Sequence, residues 1–377
     1  MFKKYLFHFL VAIILIGYLG VKFNNKEELN QVLSKEPNWS VSVPSRILYC
    51  HPYKESYVLV QTTNEVLLLS AKDGKRLWIN HLSDYYVIDD RSATQTGMQV
   101  EKGILITHRG DGAIQAIEVE TGKILWEDSS KVGETIDSIY INNETVFVAI
   151  ANNSVIAFDI YTGHTKWSFS APSRSQLYLF GYKEKIFLGA GREIYDISAG
   201  MLSTPLELDG LVNEIKSDSG KLYISYVDSN ISYSSLSLIS FQSLWKIDKN
   251  TISPLTSIIS SILTDDSIVY YAGKDIVAID KEDGELLWLS NYNDEFGRPV
   301  IIGKFLFAQG RQKLYVFDKS EGAEIQSISL KGGFRPLEWI TYEKVNPCAN
   351  SNTVWIARGK MLYAYNISPS LTMTRAR

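Results

Sequence analysis

The feature that most constrains this chain is a short motif that recurs about every 40 residues. In each copy a β-like run ends at an acidic residue, a turn with glycine follows, and a tryptophan comes next. The clearest copies span residues 155–167 and 276–288, and others span 114–126 and 66–78. A fixed period of this length indicates a repeat architecture, in which each unit buries its apolar faces against its neighbours.

The glycine and the tryptophan of the motif suit two different structural roles. A turn glycine reaches a positive φ that other residues adopt only with strain. A tryptophan supplies a large flat ring for the wedge-shaped space between adjacent sheets. The motif is degenerate in three units: the copies at Gly200 and Gly322 lack the tryptophan, and the copy at Trp245 lacks the glycine. Besides Gly200, the turn glycines are Gly74, Gly122, Gly163, Gly284 and Gly322.

The third unit shows how one repeat folds. Its apolar residues are β-branched and aromatic, they alternate or form short blocks, and Gly, Asn, Asp and Ser separate them. The pattern predicts strands at Ser138–Ile141, Val146–Ile150, Val155–Asp159 and His164–Phe169. Four antiparallel strands joined by tight turns are one blade of a β-propeller. The chain is therefore predicted to be all-β.

Counting the units predicts eight blades. The eighth unit begins at Leu337 and has strands at Thr353–Ala357 and Met361–Tyr365, but no fourth strand follows them. A candidate for that strand stands near the other end of the chain, at Asn38–Val43, and it includes Trp39. We therefore predict a propeller over residues 38–368 whose last blade is closed by the N-terminal strand, with a tail at 369–377. Closure removes exposed sheet edges.

The N-terminus differs from the rest of the chain. Two lysines precede an apolar run over residues 5–21, which is near the short limit for crossing a bilayer. We predict a signal-anchor or transmembrane helix over residues 1–22, and a polar, partly helical stalk over 23–37. A cleaved secretory signal is the alternative. Either one exports the propeller, and the preceding lysines place the N-terminus in the cytoplasm. No cysteine follows the run to carry a lipid.

Charge and motifs exclude several functional classes. The net charge is −4 and basic residues are scattered, which argues against nucleic-acid binding. No histidines are spaced as a metal-binding pair, and the hydrolase and metalloprotease signatures are absent from the sequence. We predict no catalytic residue, no metal site and no cofactor.

The two cysteines are Cys50 and Cys348. The first is predicted at the end of the first strand of blade one, and the second in the loop after the first strand of blade eight. These blades are neighbours in a closed ring, so a disulfide could join them in an oxidising compartment. Two unrelated thiols are the alternative, because disulfide geometry is strict.

Two similar segments suggest a partner surface. One precedes blade seven and contains Phe296 and Arg298, and the other precedes blade eight and contains Phe334 and Arg335. Aromatic residues and arginine are enriched where partners bind. A repeated structural element at the start of a strand is the simpler interpretation.

The segment from the third to the fourth strand resembles the repeat of the pyrroloquinoline quinone (PQQ)-type propellers. The pattern of that repeat is an acidic residue, then Thr-Gly or a similar pair, then Trp. Residues 155–167 and 276–288 match it most closely. The resemblance covers about residues 38–366 and implies a structural role for the tryptophans, each docking against the adjacent blade. By resemblance that role falls to Trp39, Trp78, Trp126, Trp167, Trp245 and Trp288.

The PQQ-type propellers have two branches that matter here. The quinoprotein dehydrogenases bind PQQ with Ca²⁺ and carry adjacent cysteines, whereas Cys50 and Cys348 are far apart in this sequence. The other branch is non-catalytic, and its best-known member is the lipoprotein subunit of the outer-membrane β-barrel assembly machine. The resemblance to this branch implies an exported, membrane-anchored scaffold for protein–protein contacts, in the periplasm or on the extracellular face. The alternatives are a PQQ-dependent dehydrogenase and a ligand- or polysaccharide-binding propeller.

Overall fold

The structure is a computed structural model. It describes residues 32–82, 98–109, 112–130, 134–151, 154–171, 176–227, 229, 231–248, 261–292, 294, 296–330 and 346–368. The predicted membrane segment 1–22 and tail 369–377 lie outside these ranges, as do Phe334 and Arg335. In the described part of the chain, no helix is long and apolar enough to cross a bilayer.

The described residues form eight four-stranded antiparallel sheets, and the predicted all-β, eight-bladed propeller is confirmed. The strands of blades one to four are β2 (Ile47–Tyr53), β3 (Tyr57–Thr62), β4 (Glu65–Ser70) and β5 (Arg76–His81); β6 (Gln99–Glu101), β7 (Ile104–His108), β8 (Ile114–Glu118) and β9 (Ile124–Asp128); β10 (Ile136–Asn142), β11 (Thr145–Ile150), β12 (Ser154–Asp159) and β13 (Thr165–Ser170); β14 (Leu177–Tyr182), β15 (Lys185–Ala190), β16 (Glu193–Asp196) and β17 (Leu206–Glu207).

The remaining blades continue the order along the chain until the last one. Their strands are β18 (Val212–Asp218), β19 (Lys221–Tyr226), β20 (Ile231–Ser237) and β21 (Ser243–Asp248); β22 (Ser261–Thr264), β23 (Ile268–Ala272), β24 (Ile276–Asp280) and β25 (Leu286–Leu289); β26 (Val300–Ile302), β27 (Phe305–Gln309), β28 (Lys313–Asp318) and β29 (Glu324–Ser329); β30 (Cys348–Ala349), β31 (Thr353–Arg358), β32 (Met361–Asn366) and β1 (Trp39–Ser42).

Blade eight is built from both ends of the described chain. Its strand order is β30, β31, β32 and then β1, which pairs antiparallel with β32. Trp39 lies opposite Ala364 in this pairing. Residues of blades one and eight share one apolar cluster, which includes Val58 and Trp355. The strand near the N-terminus therefore takes the fourth position in the last blade.

Burial explains the strand patterns. The second and third strands are apolar along most of their length because a neighbouring blade covers each face, as in β11, where Val146–Ile150 are all buried. The fourth strand lies on the perimeter and alternates between exposed and half-buried side chains, as in β13. First strands of successive blades contact each other, for example β10 with β14 and β14 with β18, so they surround the central axis.

The structure differs from the sequence predictions at two boundaries. The described first strand of blade eight is β30, so Cys348 lies in that strand rather than in the loop after it. The end of the predicted polar stalk also packs into the propeller, because Val32 and Leu33 are each only 1% exposed and join a cluster of blades seven and eight. A two-residue apolar segment among polar neighbours gives no periodicity, which is why the sequence did not reveal it.

Candidate functional site

The motif tryptophans lie on the turn glycines of the following blade. An added Cβ atom at Gly122 would lie 2.7 Å from the Trp78 ring, and one at Gly163 would lie 2.7 Å from the Trp126 ring. Both glycines have a positive φ of about +70° to +74°. Only glycine allows this contact, because any side chain would enter the indole. The same contact joins Trp39 with Gly74, Trp167 with Gly200, Trp245 with Gly284 and Trp288 with Gly322.

Indole N–H groups add a hydrogen bond at five of these six interfaces. The Trp78 Nε1–H donates to the Val119 carbonyl at 2.8 Å, and Trp126 donates to Ile160 at 2.8 Å. Equivalent bonds join Trp39 to Ala71, Trp245 to Lys281 and Trp288 to Lys319. A buried indole needs such an acceptor, since an unsatisfied polar group costs free energy. The repeated residues therefore hold neighbouring blades together.

Two interfaces lack the Trp–Gly contact. Between blades four and five, Leu206 stands at the tryptophan register position opposite Ile194, and Phe241 replaces the turn glycine with a φ of +55°. The Phe241 ring meets Phe187 of blade four edge to face, with centroids 5.6 Å apart. The tryptophan and the glycine are therefore both replaced at this interface, because the Phe241 ring occupies space that a tryptophan indole would otherwise fill.

Between blades seven and eight, Gln326 stands at the tryptophan position, opposite Val316. Its Oε1 accepts hydrogen bonds from the backbone N–H groups of Val32 and Leu33, both at 2.9 Å. Its Nε2 donates to the Leu33 carbonyl at 3.0 Å. Leu33 also forms an isolated antiparallel bridge with Ile367. The side-chain amide of Gln326 suits this position because it both donates and accepts hydrogen bonds, and the groups facing it are the backbone of Val32 and Leu33 rather than a glycine turn.

The two cysteines meet at the inner edge of blades one and eight. The structure joins Cys50 of β2 to Cys348 of β30 by a disulfide, with their Cα atoms 5.8 Å apart. Beside it is a cavity of about 270 Å³ whose lining includes Tyr49, His51 and Arg298. This axial cavity is the candidate ligand site of the described residues, because it is concave and carries polar groups from several blades.

The polar groups of the axial cavity are held by specific contacts. The Arg298 backbone N–H donates to the Asn346 Oδ1 of the next blade at 2.6 Å. Burial lowers the pKa of His51, so its imidazole is neutral at neutral pH. No local motif singled out His51, because its place at the axis depends on strand register.

The described lining of the axial cavity lacks the ligands typical of a calcium-bound quinone site. Calcium takes six to eight oxygen ligands, and carboxylates usually supply several of them. None of the described lining residues is an aspartate or glutamate. Within the described residues, no group of three or more His, Cys, Asp or Glu side chains could hold a metal ion.

The predicted partner surface must be corrected. Phe296 is fully buried and packs edge to face against Tyr315, with centroids 5.4 Å apart, so the prediction that it contacts a partner is wrong. The simpler interpretation, a structural element before a strand, accounts for it. Arg298 lines the axial cavity. Phe334 and Arg335 lie outside the described residues, so their part of this surface stays a prediction.

A family model described as outer membrane protein assembly factor BamB matches residues 34–136 and 62–222, which together cover half of the chain. This chain belongs to that family of PQQ-like propellers. A stretch of 59 residues is 44% identical to outer membrane protein assembly factor BamB of Francisella salina. That stretch is 16% of this chain and only 11% of the relative's length.

Two solved structures resemble the fold. The crystal structure of BamB from Moraxella catarrhalis superposes with a TM-score of 0.67 at 14% identity, covering 89% of this chain and all of that one. The computationally designed Ika8 protein gives a TM-score of 0.69, also at 14% identity, over 88% of this chain and all of that one. A designed protein matches as well as a member of the family, so these superpositions establish the fold alone.

Proposed function

We propose that this protein is an exported scaffold for protein–protein contacts in outer-membrane protein assembly. The observation that carries the proposal is the match of half the chain to the family model described as an outer-membrane assembly factor. The stretch shared with the Francisella salina protein supports it. The partners would be other components of that assembly apparatus, and the propeller would work outside the cytoplasm.

The use of the repeated residues is consistent with a scaffold. The motif tryptophans and glycines are engaged between blades, as Trp78 is with Gly122. Other side chains of the perimeter strands face solvent and take no part in these contacts. Several perimeter side chains are exposed and apolar, including Leu77 and Ile79 of blade one and Ile124 and Leu125 of blade two. Exposed apolar side chains of this kind are available to partners.

The N-terminal contacts suggest how a scaffold would be held at a membrane. In this proposal β1 closes the ring by completing blade eight, and residues 1–22 anchor the protein in the bilayer. Gln326 binds the backbone of Val32 and Leu33 between blades seven and eight, and this contact supports the proposal because it fixes the chain a short distance after the predicted anchor. Such a fixed position would give the disc a defined orientation relative to the membrane.

Affinity purification from native membranes tests the proposal. The full chain, tagged at its C-terminus, is cross-linked in cells, purified in detergent and analysed by mass spectrometry. We expect enrichment of outer-membrane assembly components. The matched control carries residues 1–37 of this chain fused to an unrelated exported domain, so it shares the anchor but lacks the propeller. Equal recovery of those components with the control, or no recovery with the full chain, would contradict the proposal.

The dehydrogenase alternative has its own test. The purified full chain is incubated with PQQ and Ca²⁺, and absorbance and dye reduction are followed with a panel of alcohols and sugars. We expect neither a bound quinone spectrum nor turnover, because the described axial lining offers no carboxylate for calcium. Turnover above a heat-denatured control would favour the enzyme over the scaffold.

A further inference from the structure

The inner strands place one residue of every blade at a common level around the axis. In each blade this residue pairs with the third residue of the second strand, as His51 does with Leu59 and Lys216 does with Tyr223. Equal register in all blades puts these positions in one ring. Its members are His51, Gln99, Tyr140, Phe180, Lys216, Leu263, Val300 and Cys348.

The axial cavity lies at the level of this ring. Five ring members line it: His51, Gln99, Leu263, Val300 and Cys348. Arg298, two residues before Val300, lines it as well and is the only Asp, Glu, Lys or Arg of the described lining. The cavity wall thus combines one permanent positive charge with neutral polar groups.

Lys216 is the member of this ring in blade five and adds a second positive charge at its level, although it does not itself line the cavity. Burial, and after it the charge of Arg298, lowers the pKa of Lys216, while Asp218 and Glu214 act more weakly in the opposite direction. Asp218 is already engaged, since its Oδ2 lies 2.5 Å from the Lys281 Nζ. Glu214 is buried and has contacts of its own.

Neither cation forms an ion pair within the described part of the chain. Among those residues, the Arg298 guanidinium and the Lys216 ammonium make no hydrogen bond and no ion pair, although both side chains are partly buried. Two partly buried like charges without partners destabilise the folded state, because each loses hydration and repels the other. An anion bound beside Arg298 would offset that charge and reduce the repulsion between the two cations.

The backbone of Arg298 is fixed in place before any ligand arrives. Its N–H is bound by the Asn346 Oδ1 of blade eight, and the following Pro299 is buried and has a restricted φ. The guanidinium carried by this backbone offers a planar pair of donors suited to an oxyanion.

We propose that the axial cavity binds a small oxyanion, a carboxylate or phosphate compound, at Arg298, with Lys216 of the same ring as a second source of positive charge. The cavity, at about 270 Å³, is near the lower end for ligand pockets, so it suits a small molecule and not a segment of a partner protein. The site is independent of the proposed scaffold function. It also differs from a calcium–quinone site, because it needs no metal and no carboxylate ligands.

Isothermal titration calorimetry on the full chain in detergent tests the site, with citrate and inorganic phosphate as separate probes at constant ionic strength. We expect at least one probe to bind. Arg298→Gln and Lys216→Met should each weaken that binding by about tenfold or more, since a hydrogen bond to a charged group contributes about 1.5–3 kcal/mol. Binding of citrate alone would assign a carboxylate site, and binding of phosphate alone would assign a phosphate site.

Two further variants separate a specific site from general charge effects. Lys123→Met removes an exposed lysine far from the cavity and should leave binding unchanged. Arg298→Lys keeps the charge without the planar fork and should bind with an intermediate affinity. Thermal unfolding without ligand should show that all variants are folded. Absence of binding by both probes, or equal affinity in wild type and both cavity variants, would overturn the proposal.

Discussion

The interfaces between the blades fall into two kinds: those that keep the Trp–Gly contact of the repeat, and those in which other residues replace it. Six interfaces dock a tryptophan onto a glycine turn. Two do not, and in each the exchange matches the local neighbour. At one, Phe241 meets Phe187, and Leu206 packs against the same apolar cluster. At the other, Gln326 meets the backbone at Leu33. The Trp–Gly contact is therefore one way to fill the space between adjacent blades. Where the facing residue of the next blade differs, the residue at the tryptophan position differs as well.

The largest expected effect is at a regular interface. Trp245 is 7% exposed and lies on Gly284 with its indole N–H bound to the Lys281 carbonyl. Trp245→Ala should lower the free energy of unfolding by about 3–5 kcal/mol, because it leaves a cavity and removes the indole hydrogen bond. Urea unfolding measures the change. Leu206→Ala, at an interface without tryptophan, is the matched control and should lose about 1–2 kcal/mol, because Leu206 is only half-buried. Equal losses would remove the distinction between the two kinds of interface.

The next effect concerns the interface between blades eight and one, where a disulfide accompanies the Trp39–Gly74 contact. Replacing both Cys50 and Cys348 by serine should lower the free energy of unfolding by about 2–4 kcal/mol, because the link closes a very long loop of the unfolded chain. Adding a reductant should lower the stability of the wild type and leave the double variant unchanged. Two titratable thiols in the unfolded, unreduced wild type would contradict the disulfide.

The sequence predicts the contacts of some of these interfaces better than those of others. The recurring glycine and tryptophan made the blade number predictable, because those residues repeat at a fixed period. The fourth strand at Trp39 could also be proposed, since it keeps the tryptophan of the motif. The role of Gln326 could not be predicted, because its partner Leu33 is 293 residues away and belongs to no repeat.

The candidate site was less predictable than the fold. Arg298 was selected together with Phe296 from a short similarity of two segments, yet the structure places the arginine at the axial cavity and buries the phenylalanine. Neighbouring residues of an extended segment point in different directions, so composition alone cannot separate them. Lys216 comes near Arg298 only through the register of strands in different blades, which no local pattern reveals.

A smaller and more local effect is expected at Gln326. Gln326→Ala removes three hydrogen bonds to the backbone of Val32 and Leu33, each worth about 0.5–1.5 kcal/mol, so this segment should open more readily. Hydrogen exchange at these two amides should become faster, while exchange in β11 stays unchanged. The control is Gln242→Ala on an exposed turn. Unchanged protection of Val32 and Leu33 would show that Gln326 does not hold the segment.

The claim that each interface residue is matched to its neighbour is tested most directly by a double-mutant cycle between blades four and five. Leu206→Trp alone should destabilise the protein because Phe241 occupies the space, and Phe241→Gly alone should destabilise it by leaving a void against Phe187. The double variant recreates the Trp–Gly contact of the other interfaces. Urea unfolding of the four proteins should give a favourable coupling free energy of about 0.5–3 kcal/mol. Purely additive losses would contradict the account.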